Sequence, residues 1–211
     1  MPLNERIRIV MTRVFEGPLH QRLYDIWADW ADNHREVEVV WQSNDGSKCH
    51  QEMLEEIWDD HAEHCDVLVM TEHDFIPDDL LVNTLRARLR KSPAVLVQYA
   101  TRNPQDLALI RHDCAGGWLM AFRPARFDTR PDFGGTDPGN RLIEEVYKIA
   151  GAAPTVIYGR NDRLGLKYGG MGTHLFWSRH INDNPNSYVA GFSVKEILTY
   201  WVERISEKEQ A

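Results

Sequence analysis

The sequence predicts one α/β domain built on a mostly parallel sheet, and three observations predict it. Short apolar runs alternate with segments of helical period through the first hundred residues, in the order β-α-β-α-β-α-β. Helices of that length between apolar strands imply parallel pairing through right-handed crossovers. The 211 residues fit one domain, and 43% hydrophobic against 27% charged residues is enough to build its core. The apolar run Val67 to Met70 stops abruptly at an acidic cluster, Glu72-His73-Asp74. This puts charged side chains at the carboxyl end of a strand, where open α/β sheets bind their ligands.

Each element has its own signal. Residues 6–14 alternate and are rich in β-formers, which makes them a first strand, broken by Gly17-Pro18. Leu19, Leu23, Ile26, Trp27 and Trp30 recur at helical spacing. Residues 37–42 form a second strand that ends in the turn-forming cluster Ser43-Asn44-Asp45-Gly46-Ser47. Met53, Leu54, Ile57, Trp58 and His61 mark a second helix. A strand at 65–70, a helix near 78–90 stopped before Pro93, and a strand at 94–100 complete this half.

The second half is less regular. Residues 116–123 read as a strand entered through two glycines, and 124–137 as a loop. Asp137-Pro138 is a helix-start signal, with Leu142, Ile143, Val146 and Ile149 on one face and Gly151 at the end. Residues 154–158 make a short strand. Residues 159–192, rich in Gly with Asn and Pro, show no clean period and read as one long loop of the functional or mobile kind. Val194, Ile197, Leu198, Trp201, Val202 and Ile205 predict a last helix.

Composition narrows the function classes. A net charge of −8 disfavours nucleic acid as a partner, since phosphate contacts need a basic face. No apolar stretch approaches the ~18 residues of a membrane span, and the first residues lack the apolar core of a signal peptide. Cys49, Cys65 and Cys114 are odd in number and not in C-x-x-C spacing, which points to a reducing, cytoplasmic setting. Cys49, His50, His61, His64 and Cys65 crowd together but match no structural zinc pattern.

The strand-end acids carry the most chemistry. Residues i and i+2 on an extended backbone point the same way, so Glu72 and Asp74 can face one ion. Hard oxygen donors suit Mg2+ or Mn2+, and these ions commonly sit beside phosphates. The plain alternative is a solvated turn after a strand.

Three segments together resemble the family 2 nucleotide-sugar glycosyltransferases of the GT-A fold. Asn44-Asp45-Gly46-Ser47 resembles that family's Asp-Asp-Gly-Ser turn, with Asn44 in place of the first Asp. The stretch from Thr71 to Leu80 resembles its D-x-D segment and following helix, with Glu72 in place of the first Asp. The segment from His174 to Arg179 resembles the part that supplies a late metal-binding His. Order and spacing fit over roughly residues 5–180.

The resemblance implies a single GT-A-like, Rossmann-like catalytic domain over 1–211. Residues 1–100 would be its nucleotide-binding half, 101–192 its acceptor side and metal-closing loop, and 193–211 its C-terminal helix. It implies metal-dependent transfer of a sugar from a nucleotide-diphosphate sugar to an acceptor hydroxyl, with inversion. Asp74 would bind Mn2+ or Mg2+, Glu72 the donor ribose or the metal shell, and His174 would complete the coordination. Asp45 would read the nucleobase, lined by Thr12 and Val14, and one or two of Arg160, Arg163, Lys167 and Arg179 would pair with the diphosphate.

Asp137 is the expected general base, with Asp132 and Asp113 in reserve. Its alternative is a helix N-cap before Pro138. Asp45 alternatively forms only an Asx-turn, and His174 is alternatively an ordinary loop residue. Trp118 stacks on a sugar or fills the core. A sugar-nucleotide nucleotidyltransferase should carry a Gly-rich basic loop after strand one. Residues 12–17 hold one glycine, which disfavours that reading. A nucleotide-sugar binding protein without catalysis is the other alternative, raised by the Asn44 and Glu72 departures.

Overall fold

The computed structural model describes residues 5–13, 18–44, 47–98, 116–134, 141–162, 165–175, 188–189, 192–193 and 199. The first strands and helices follow the predicted order: β1 (Ile7–Arg13), α1 (Pro18–Asn33), β2 (Val37–Ser43), α2 (His50–His61) and β3 (Val67–Glu72). A short strand, β4 (Phe75–Pro77), comes next, then α3 (Leu81–Leu89), β5 (Ala94–Gln98), β6 (Gly116–Phe122), α4 (Leu142–Ala150) and β7 (Thr155–Tyr158). Six strands form one sheet in the order β2-β1-β3-β6-β5-β7. Only β6 runs antiparallel to its neighbours, β3 and β5. The expected mixed α/β architecture, a mostly parallel sheet flanked by helices, is present.

Strand periodicity divides the core. Ile7, Ile9, Met11, Val67, Val69, Val95 and Val97 face α1 and α3, where Leu23, Trp27, Leu81 and Leu85 cover them. Val10, Leu68, Met70, Leu96, Met120 and Phe122 face the other way, onto Leu54, Ile57 and Trp58 of α2 and Leu142 and Val146 of α4. Alternate residues thus bury against opposite layers, as a strand covered on both faces requires. Each fully buried Leu, Ile or Val contributes ~1.5–3 kcal/mol of transfer free energy.

Three expectations are corrected. The stretch 159–192 is not one irregular loop. It contains β8 (Arg160–Asp162), β9 (Gly165–Tyr168), β10 (Gly172–Leu175) and β11 (Tyr188–Val189). Strands β8, β9 and β10 join β4 in a second, antiparallel sheet ordered β4-β10-β9-β8. These strands are too short, and too broken by glycine, to show a period in sequence. Helix α4 starts at Leu142 with Arg141 as its N-cap, not at Asp137-Pro138. Its C-terminal end is as expected: Gly151 has φ +64°, and its N–H bonds to the Tyr147 carbonyl. Phe192–Ser193 is a strand, β12, paired with β11, so the last helix does not begin at 193. The rest of its predicted span, 194–198 and 200–211, lies outside the described residues.

The two described cysteines differ in reactivity. Burial pushes the Cys65 thiol up to about 11, and its Sγ contacts the His61 carbonyl oxygen at 3.3 Å. Cys49 is exposed. At pH 8 a thiol of that pKa is roughly one part in a thousand thiolate, the reactive form. Brief treatment of the native protein with iodoacetamide should therefore modify Cys49 and leave Cys65 intact until the chain is unfolded. Peptide mass mapping reads the result, and equal early modification of both would show that Cys65 is not shielded.

Candidate functional site

Three elements meet at the carboxyl end of the main sheet. Strand β3 ends at Glu72, and Thr12 at the end of β1 stands beside it in register. His73 and Asp74 form the turn into β4. Strand β10 then pairs with β4, placing His174 opposite Phe75. The second sheet thus carries a residue from far along the chain to the acidic turn. Helix α1 braces the turn from behind: Trp27 Nε1 donates to the Phe75 carbonyl at 2.7 Å, and Trp30 Nε1 to that of Asp78 at 3.3 Å.

Glu72, Asp74 and His174 each offer one ligand atom, and these atoms lie within 4.8 Å of one another. His174 Nε2 is 3.6 Å from Asp74 Oδ2. Asp74 is 6% exposed and His174 9%, while Glu72 is more open. Two carboxylates held this close in a half-dry setting repel each other, and a cation between them removes the cost. The donor set of two carboxylates and one imidazole fits a divalent cation. It is the one group of three or more such residues found among the described residues. The crowded cysteines and histidines of the first half form no second one there.

Several neighbours escaped the sequence reading. His20 Nδ1 lies 2.9 Å from His73 Nε2, with both rings buried, so one nitrogen donates and the other accepts. Burial holds His73 below the ordinary histidine range. The nearby Asp74 charge opposes that shift, and His174 adds to it. His50, the first residue of α2, reaches Glu72: Nε2 to Oε1 is 3.3 Å. Neither pairing has a sequence signal, because each joins residues that only the fold brings together.

The turn after β2 explains its Asn. The Asn44 amide donates to the Lys48 carbonyl at 2.9 Å, and its oxygen accepts the Lys48 N–H at 3.4 Å. An aspartate could accept the second contact but not donate the first. Asn44 therefore closes the loop that carries Asp45, which itself lies outside the described residues, as does Gly46. Thr12 is buried, with Oγ1 donating to the Thr71 carbonyl at 3.4 Å. Arg160 and Lys167 are exposed. Val14, Asp113, Asp137, Arg163 and Arg179 lie outside the described residues. Trp118 lies in β6. Asp132 is exposed and caps its own turn, Oδ1 accepting the Gly134 N–H at 2.7 Å.

No family model matches the chain, and no curated protein does. Solved structures match it. The protein A197 from STIV aligns with a TM-score of 0.52 at 13% identity, over 81% of this chain and 93% of its own. A mannosyltransferase from Pyrobaculum calidifontis, solved with GDP-Man and Mn2+, aligns with a TM-score of 0.47 at 13% identity, over 74% and 56%. A 4-diphosphocytidyl-2C-methyl-D-erythritol synthase from Anaerococcus prevotii aligns at 0.46 and 12% identity, over 74% and 90%. At these identities the likeness is one of fold. The chain shares the mixed α/β fold of A197 from STIV, with an acidic turn at the carboxyl end of its central strands. No helix among the described residues is long and apolar enough to cross a membrane.

Proposed function

We propose that the protein is a metal-dependent glycosyltransferase that moves a sugar from a nucleotide-diphosphate sugar to an acceptor hydroxyl, with inversion. The observation that carries this reading is the convergence of Glu72, Asp74 and His174 at the sheet's carboxyl end. In this reading these three hold Mn2+ or Mg2+. The bound ion would neutralise charge developing on the diphosphate leaving group. Asp45 reads the base, on a loop tied shut by Asn44, with Thr12 and Val14 beside it. One or two of Arg160, Arg163, Lys167 and Arg179 pair with the diphosphate.

The transfer itself needs one proton moved. Asp137 takes it from the acceptor hydroxyl, whose oxygen bonds to the anomeric carbon as the bond from that carbon to the diphosphate breaks. Asp132 is the reserve for this role. The described cap of α4 is Arg141, which weakens the rival reading of Asp137 as a helix cap. Asp137→Asn is expected to lower turnover ~10²–10⁴-fold with little change in donor binding.

The test is a panel of nucleotide-diphosphate sugars incubated with Mn2+, with Mg2+ and with chelator, reading nucleoside diphosphate release. Release that depends on metal is the expected result. Binding without release would leave a nucleotide-sugar binder. Neither binding nor release with any donor would end the reading.

A further inference from the structure

We propose that His50 is a positioning residue for the metal centre, acting through Glu72. This rests on the reading of Glu72, Asp74 and His174 as ligands of a divalent ion. His50 Nε2 lies 3.3 Å from Glu72 Oε1, and both side chains are a little over a quarter exposed. A carboxylate can serve an imidazole on one oxygen and an ion on the other. Ligating carboxylates are commonly fixed by such outer partners, whose loss costs ~10–100-fold in metal affinity.

Three contacts fix the place from which His50 reaches out. The Cys49 N–H donates to Glu52 Oε2 at 2.8 Å, closing the first turn of α2. Lys48 Nζ pairs with the Glu56 carboxylate at 2.5 Å, and Asn44 holds the Lys48 backbone. The start of α2 is therefore tied both to its own second turn and to the end of β2. Glu72 is the most exposed of the three metal-facing residues, and Asp74 and His174 are nearly buried. A long, open glutamate has more rotamers to lose on binding than a buried aspartate. An imidazole from a rigid helix start restricts it before the ion arrives. This also fits glutamate in place of aspartate at that position, because the longer side chain can reach α2.

The test uses the full chain and Mn2+ alone, titrated by calorimetry and by the loss of the free-ion electron paramagnetic resonance signal. His50→Leu should weaken Mn2+ binding about 10-fold. His50→Gln, whose amide can still donate to a carboxylate, should bind within about 3-fold of wild type. In a Glu72→Gln background, His50→Leu should have no further effect, since residues that act through one another are not additive. Metal-free melting temperatures, compared alongside, separate this from lost folding. If His50→Leu does not fold, His50→Asn, whose amide is too short to reach, carries the same expectation. Undiminished Mn2+ binding by His50→Leu, or an equal loss with and without Glu72, would overturn the proposal. Wild-type protein that binds no Mn2+ would overturn the metal reading, and the proposal with it.

Discussion

Asp74→Asn should abolish metal-dependent binding of nucleoside diphosphates and leave the fold intact. Asp74 is 6% exposed, and its Oδ2 stands 3.6 Å from His174 Nε2 within the group of three. The amide has nearly the same volume, so packing is undisturbed. It cannot balance a dication beside a diphosphate. We expect a loss of Mn2+ affinity of at least ~100-fold, beyond the usual cost of losing an outer partner. Without metal the variant should melt at the wild-type temperature or slightly above it, because one of two crowded negative charges has gone. Isothermal titration of a nucleoside diphosphate, with Mn2+ and with chelator, makes the comparison. Unchanged affinity and unchanged metal dependence would remove Asp74 as the principal ligand.

Gly172→Ala should damage both the fold and the site. Gly172 sits at the start of β10 opposite Pro77, with φ +154°. A Cβ there would stand 2.2 Å from the Ile76 carbonyl oxygen and 2.4 Å from Phe75 Cε1. The first of these is backbone and cannot swing aside. Relief requires β10 to move off β4, and His174 lies two residues further along the same strand. Overpacking of this kind costs ~1–3 kcal/mol, which for a chain of this size lowers the melting temperature by ~2–4 °C per kcal/mol. Mn2+ affinity should fall in the same variant. A thermal melt and a metal titration test both expectations. If neither changes, the approach of β10 to β4 is looser than described.

The first half of the fold was legible because β1, β3 and β5 are buried on both faces, while the edge strand β2 shows itself by its β-formers and the turn cluster that ends it. Val67 to Met70 and Ala94 to Val97 are continuous apolar runs, and the helices between them carry one apolar face each. Strand β4 was not legible. Its three residues follow an acidic turn and end in proline, and its partner, β10, comes from the far end of the chain. The start of α4 misled for a different reason. Asp137-Pro138 is a strong local signal, but the helix begins four residues beyond that proline, at Leu142, where its buried face starts.

The site divides in the same way. Glu72 and Asp74 announced themselves by ending an apolar strand. His174 was readable only through resemblance, since nothing near it in sequence marks a ligand. His50 was noticed only as one of a crowd of cysteines and histidines, with no signal tying it to Glu72. It sits at an ordinary helix start, and its meaning comes from a glutamate on another strand.

The pairing of β10 with β4 has a kinetic consequence. Glu72 and Asp74 are local to each other, whereas His174 reaches them only when two strands about a hundred residues apart have docked. Closing a long stretch of chain must be completed before such a contact repays it, so contacts of this kind tend to form late. Ile9, Val69 and their neighbours can collapse around α1 while the acidic turn still lacks its imidazole. An ion that needs all three groups grips the chain fully only once β10 has docked on β4. To the extent that docking follows the folding transition state, bound metal would slow the escape from the native state more than it speeds folding.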